Sequence, residues 1–183
     1  MERGGWILTR PYSGKITLRA PIVSDLARKL FGDDVPTRSL ALIVDLDDTI
    51  CTDFDWPIRA AVEVLVRIDR QKVAVHYVTA RTEVSRTATE RFLEEHRLPG
   101  WRNLHFCPNY LGTRKHKTDK HTLLAREHRV IASIGDTDED EGTAARVAGV
   151  PFILVDRDNA APAWSTLAAL IAAEGGFHQT GQE

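Results

Sequence analysis

Leu40-Ala41-Leu42-Ile43-Val44-Asp45-Leu46-Asp47-Asp48-Thr49-Ile50 is the stretch whose reading decides the fold. Its first half is an unbroken apolar run of strand length; its second half carries three carboxylates and a hydroxyl. A run without polar alternation suits a strand buried on both faces, as in a parallel sheet covered by helices. Side chains alternate along an extended chain, so Asp45, Asp47 and Thr49 project one way while Leu46 and Asp48 project the other. Two carboxylates then converge at the carboxyl end of a buried strand, where open α/β sheets hold their ligands. Like charges packed this way need a cation or a shared proton between them. The stretch asks for a metal.

Downstream, strands and helices alternate. Pro57 suits a first helical position, and Ile58, Val62, Leu65 and Val66 follow as a helical stripe. Val73 to Val78 reads as a second strand, ending at Thr79-Ala80-Arg81. A helix from about Glu83 to His96, with Val84, Ala88, Phe92 and Leu93 inward, stops at Leu98-Pro99-Gly100. Leu104 to Phe106 is a third strand, and Thr118 caps a helix carrying Leu123 and Leu124. Val130 to Ile134 and Phe152 to Val155 are the fourth and fifth strands; Pro162 to Glu174 is the last helix. This order predicts an α/β fold: a doubly wound, mainly parallel, five-stranded sheet over residues 40–176 with right-handed crossovers. Residues 1–39 form an appendage, a hairpin around Pro11-Tyr12-Ser13-Gly14 and a short helix after Ser24, serving as edge cover or as a lid. Residues 177–183 are expected to be a flexible tail.

Composition narrows the partners. The chain has 183 residues and a formal net charge of -2, so nucleic acid or acidic lipid would have to be read by a local patch. No apolar run approaches the roughly 20 residues that span a bilayer. The N-terminus lacks the basic-then-apolar layout of a signal peptide. Cys51 and Cys107 have neither metal-ligand nor disulfide-framework spacing. A cytoplasmic protein with no membrane partner is expected.

In a parallel sheet the strand-end polar groups share one edge. Asp45 and Asp47 follow strand one, Thr79 follows strand two, Asp136 follows strand four, and Lys120 lies where a crossover helix begins. A carboxylate nucleophile, a hydroxyl, an ammonium and a metal-binding carboxylate are the parts of phosphoryl transfer, where positioning and charge stabilisation supply most of the catalysis. A Ca²⁺ loop of the EF-hand type is excluded. The sixth and twelfth positions from Asp45 are Ile50 and Trp56, and from Asp136 they are Glu141 and Val147, where Gly and Glu are required.

Asp45-Leu46-Asp47-Asp48-Thr49 after an apolar strand resembles the first motif of the haloacid dehalogenase superfamily of phosphatases. Thr79 resembles the second motif, Lys120 the third, and Gly135-Asp136-Thr137-Asp138-Glu139-Asp140 the fourth. The resemblance covers about residues 40–155 and implies a Mg²⁺-dependent phosphatase. It implies that Asp45 attacks phosphorus to form an aspartyl-phosphate, and that Asp47 is the general acid and base. Thr79 would bond a phosphoryl oxygen and Lys120 would hold the charge beside Asp45. Asp45, the backbone carbonyl of Asp47, Asp136 and Asp140 would surround the cation. Lys115 and Lys117 compete with Lys120 for the third motif, and Asp138 and Glu139 compete with Asp140 for the fourth.

The spacing also bears on substrate. About 30 residues separate Asp45 from Thr79 and about 40 separate Thr79 from Lys120, and the expected helices and strands fill most of both intervals. No substantial cap domain of the kind that family inserts there fits, which in the family goes with large substrates or with a cap from another subunit of a homo-oligomer. The basic loop Arg114-Lys115-His116-Lys117-Thr118-Asp119-Lys120-His121 lies beside the site. With Arg81, Arg86 and Arg114 it is loosely similar to the phosphatase half of polynucleotide kinase–phosphatases, which implies a nucleic-acid 3′-phosphate end or a nucleotide as substrate. Thr79, Ala80, Arg81, Arg114 and Lys120 are then the substrate-binding residues, with Trp56 and Trp101 as candidates for stacking on a base. Small phosphorylated metabolites and phosphoproteins are the alternative substrates. A catalytically silent binding module on the same fold is the rival of another class.

Overall fold

The structure, a computed structural model, describes residues 38–53 and 55–178. The hairpin and helix expected before residue 38 lie outside the described residues, as does the chain beyond 178.

The first strand, β1 (Leu40–Val44), is followed by a two-stranded antiparallel hairpin of β2 (Cys51–Thr52) and β3 (Trp56–Pro57). Next come α1 (Arg59–Leu65), β4 (Val73–Thr82), a 3₁₀ turn (Glu83–Ser85), α2 (Arg86–Glu95) and β5 (Leu104–Cys107). After a second 3₁₀ turn (Tyr110–Gly112), α3 (Thr113–Glu127) leads to β6 (Arg129–Gly135). A π-helical turn (Asp138–Gly142) runs into α4 (Thr143–Ala148), then β7 (Phe152–Leu154) and α5 (Ala161–Ala173). The main sheet is ordered β5-β4-β1-β6-β7 and every pairing in it is parallel. The expected doubly wound α/β architecture is therefore present. The chain leaves β1 to one side for β4 and β5, then returns to its other side for β6, which makes the carboxyl end of β1 the topological switch point.

The two faces of this sheet are unlike. Leu42, Val44 and Leu46 point into a large apolar core completed by Leu65 of α1, Phe92 and Leu93 of α2, and Trp164, Leu167 and Ile171 of α5. The alternate residues face α3, where the apolar cluster shrinks to Ile43, Val78 and Leu124 with Val130 against it. Buried polar groups fill the rest of that side: His76, His116, Lys117, His121 and Ser133. Asp45 is in phase with Ile43, so strand alternation delivers it to the polar face.

Four local expectations change. Pro57 ends the short hairpin instead of opening a helix, a place where its missing N–H costs nothing. Helix α1 consequently starts later and buries Ala61, Val64 and Leu65, leaving Val66 exposed. Val84 falls in the 3₁₀ turn before α2 and is exposed rather than inward, and Ala88 is exposed too, its neighbour Thr89 being buried with Phe92 and Leu93. Thr118 does not cap α3, which begins at Thr113; its hydroxyl donates back to the Arg114 carbonyl (2.8 Å). The tail expected from 177 is tied down at its start: Phe177 bridges to Ile68 and packs on the core, and the His178 N–H donates to the Arg67 carbonyl.

Candidate metal and phosphoryl-transfer centre

Register assembles the site. Val44 stands beside Tyr77 of β4 and Ile134 of β6. The residues just beyond these positions, Asp45, Thr79 and Asp136, therefore emerge at one edge. The Asp45 N–H continues the ladder to the Ile134 carbonyl (3.0 Å), so the nucleophile candidate stands on rigid backbone. Its carboxylate is buried and accepts a hydrogen bond from Lys117 Nζ (2.9 Å). The same ammonium pairs with Glu141, whose carboxylate also accepts from the Thr137 hydroxyl. Carboxylate oxygens of Asp45, Asp136 and Glu141 lie within 4.8 Å of one another.

Lys117 takes the place expected of Lys120. Because α3 begins at Thr113, Lys117 is in its second turn, on the inward stripe with His121 and Leu124. Lys120 is half-buried, off that stripe, and Lys115 pairs with Asp119 at the surface (2.5 Å). The spacing Lys117, His121, Leu124 is itself a helical i, i+4, i+7 pattern, which singles out Lys117 once the helix is started early enough. Glu141 likewise takes the place expected of Asp140. The widened π turn carries Glu141 inward, and Asp140 turns out to meet Arg114 Nε (3.0 Å). Gly135 makes this possible: a Cβ there would stand 2.5 Å from Glu141 Cγ. Asp138 pairs with Arg146 and Glu139 with Arg114, outside the cluster.

Asp47 stands at the same edge, its side chain 42% exposed, and takes a two-pronged contact from Arg81. Arg81, expected to bind substrate, thus has its guanidinium turned on Asp47. Thr79 is fully buried and its Oγ1 accepts the Arg81 N–H (3.0 Å); Ala80 beside it is half-buried. Arg114, also expected to bind substrate, is engaged by Asp140 and Glu139. Asp48 adopts a left-handed backbone (φ 53°) and pairs with Arg157 (3.2 Å), a surface role. The loop after Asp45 is anchored from below by Trp164, whose indole N–H donates to the Thr49 carbonyl (3.2 Å). Of the two tryptophans considered for stacking, Trp56 is exposed and Trp101 packs on the core.

Burial raises the pKa of Asp45 despite the Lys117 ammonium beside it. Burial also raises Asp136, and the Asp45 carboxylate adds to that. Counted as ionised groups, Asp45, Asp136 and Glu141 carry −3 and Lys117 carries +1, which leaves −2. One divalent cation would balance that charge. The donors are hard carboxylate oxygens without sulfur or imidazole, which fits Mg²⁺.

No protein-family model matches the chain, and no curated protein matches it by sequence.

Proposed function

We propose that the protein is a Mg²⁺-dependent phosphomonoester hydrolase acting through an aspartyl-phosphate. One observation carries this reading: a buried carboxylate, Asp45, held at a strand end between an ammonium and two further carboxylates spaced for a shared cation. Asp45 Oδ attacks phosphorus, the ester P–O bond breaks, and Asp47 delivers a proton to the leaving oxygen. Water then attacks the aspartyl-phosphate, Asp47 accepts its proton, and inorganic phosphate leaves with Asp45 regenerated. Lys117 neutralises Asp45 and faces the charge that grows on the transferring group; Thr79 lines the same edge. Asp45, Asp136 and Glu141, with the Asp47 carbonyl, would hold the Mg²⁺, which supplies charge neutralisation to the phosphoryl oxygens.

The substrate we favour is a nucleic-acid 3′-phosphate end or a nucleotide. Between β1 and β4 the chain spends its described residues on a hairpin and one short helix, so no cap domain is inserted there among the described residues. Exposed Trp56, in the hairpin after β1, and exposed Tyr110, in the 3₁₀ turn after β5, offer faces for a base. The ion pairs of Arg114 and Lys115 with acidic neighbours favour the second reading, a small phosphorylated metabolite, because they reduce the pull on a polyanion.

The test is hydrolysis of 4-nitrophenyl phosphate with and without Mg²⁺, beside Asp45→Asn. Metal-dependent turnover that falls by about a thousandfold or more in the variant is expected. Equal, negligible turnover in both would leave a binding module on this fold. Comparing 3′-phosphorylated oligonucleotides with sugar phosphates at two salt concentrations then separates the substrate classes, since only the polyanion should be strongly salt-sensitive.

A further inference from the structure

We infer that Arg81 is a positioning residue for Asp47, and that Thr89 on α2 holds Arg81 in place for that task; this rests on the hydrolase reading above. Asp47 sits on the loop leaving β1 with its side chain partly in solvent, where a carboxylate would ordinarily sample several rotamers. Arg81 Nη2 reaches Asp47 Oδ1 at 2.6 Å, and Nε lies 3.2 Å from Oδ1 and 3.1 Å from Oδ2. A planar fork of this kind fixes the plane of a carboxylate as well as its distance, which a lysine ammonium cannot do.

The guanidinium is itself held. Its side chain is 3% exposed, Nη1 donates to Thr89 Oγ1 (3.0 Å), and Nη2 approaches Cys51 Sγ (3.3 Å). Thr89 is fully buried on α2 beside Phe92 and Leu93, which belong to the large core. A rigid chain therefore runs from the core through Thr89 and Arg81 to Asp47. Oδ1 takes two of the three contacts and Oδ2 one, so Oδ2 keeps the greater share of its acceptor capacity for a proton bound for the leaving group. Small displacements of a catalytic group cost up to about a hundredfold in rate, which sets the size of effect to look for.

The experiment measures kcat/KM with Mg²⁺ for phosphate esters of graded leaving groups, from 4-nitrophenol through phenol to an alkyl alcohol. Wild type is compared with Arg81→Gln, Arg81→Lys, Thr89→Val, Asp47→Asn and the Arg81→Gln/Asp47→Asn pair. Good leaving groups need little proton donation, so the Arg81→Gln deficit should grow from a few-fold on the nitrophenyl ester to about a hundredfold on the alkyl ester. Arg81→Lys should recover part of it, Thr89→Val should show the same trend at smaller size, and Arg81→Gln should add little once Asp47 is Asn. A deficit uniform across the series, or losses that multiply in the double variant, overturns the inference while leaving the hydrolase reading standing. Should Arg81→Gln fail to fold, Thr89→Val, equal in volume, carries the same comparison. Wild type inert toward every ester would sink the hydrolase reading itself, and this inference with it.

Discussion

An ammonium as deeply buried as that of Lys117 is tolerable only when its charge is met on the spot, and Asp45 and Glu141 meet it. Replacing it by Gln keeps the volume and removes the charge. Lys117→Gln should lower phosphatase turnover by about a hundredfold or more while Mg²⁺ binding, followed by calorimetry, persists or tightens, because a positive neighbour of the cation is gone. Lys120→Gln should stay within about threefold of wild type; the reverse ranking would return to Lys120 the charge-holding role proposed for Lys117. Gly135 is a second decisive position. Alanine there would press into Glu141 Cγ, so Gly135→Ala should weaken Mg²⁺ binding and cost about 1–3 kcal/mol of stability by denaturant titration. Reading the residues in a row left Lys117 as one of two competitors to Lys120 and did not raise Glu141 as a site residue at all. Both depend on helical phase, one on where α3 begins and the other on a π turn, and phase is the property a single sequence expresses least.

At the scale of an element, α3 is unusual in what it presents to the sheet. Its inward stripe carries Lys117 and His121 as well as Leu124, and His76 and His105 lie on the strands of that side. His76 Nδ1 contacts His105 Nε2 (3.2 Å), His121 Nδ1 lies against the Lys117 carbonyl and Nε2 against the Ser133 hydroxyl, and the His128 ring stands over His76. Burial lowers His76, His105 and His121 from the ordinary 6.5 to about 4; neighbouring histidines or lysines push the same way. The unfolded chain therefore binds more protons than the folded one between these values. Stability is fully present above pH 6.5 and is lost as pH falls from 6.5 toward 4. Thermal midpoints measured across that window should drop steeply, at roughly 1.4 kcal/mol per pH unit for each proton taken up. His76→Leu should flatten the slope, since it removes one of the three groups. A midpoint that stays level down to pH 4.5 would mean these imidazoles can charge in place.

For the molecule as a whole, residues 176–178 are part of the packing and not a loose appendage. Phe177 rests on the core, its neighbour Gly176 accepts from the Asp69 N–H, and Arg67 lies over the Phe177 ring (4.5 Å to its centre). Truncation after Gly176 should cost about 1–3 kcal/mol and lower the melting temperature by several degrees. An unchanged melting temperature would make that contact incidental. The parallel pairing and the common edge for Asp45, Thr79 and Asp136 follow from apolar runs that each end in a polar group, and these were legible in the sequence; the strand order β5-β4-β1-β6-β7 came from the structure. The Arg81–Asp47–Thr89 chain was not legible in the sequence either, because its members are 34 and 8 residues apart with no pattern linking them.

The sequence by itself determined the architecture and the edge at which chemistry would gather, since burial on both faces and side-chain alternation are written in the order of residues along each strand. Only the tertiary structure decided which ammonium stands beside Asp45, which carboxylate of the run 136–141 turns inward, and that Arg81 faces Asp47. Those choices depend on where α3 starts, how the chain turns after β6 and which side chains fill the space between sheet and helix, quantities that packing sets and local patterning leaves open.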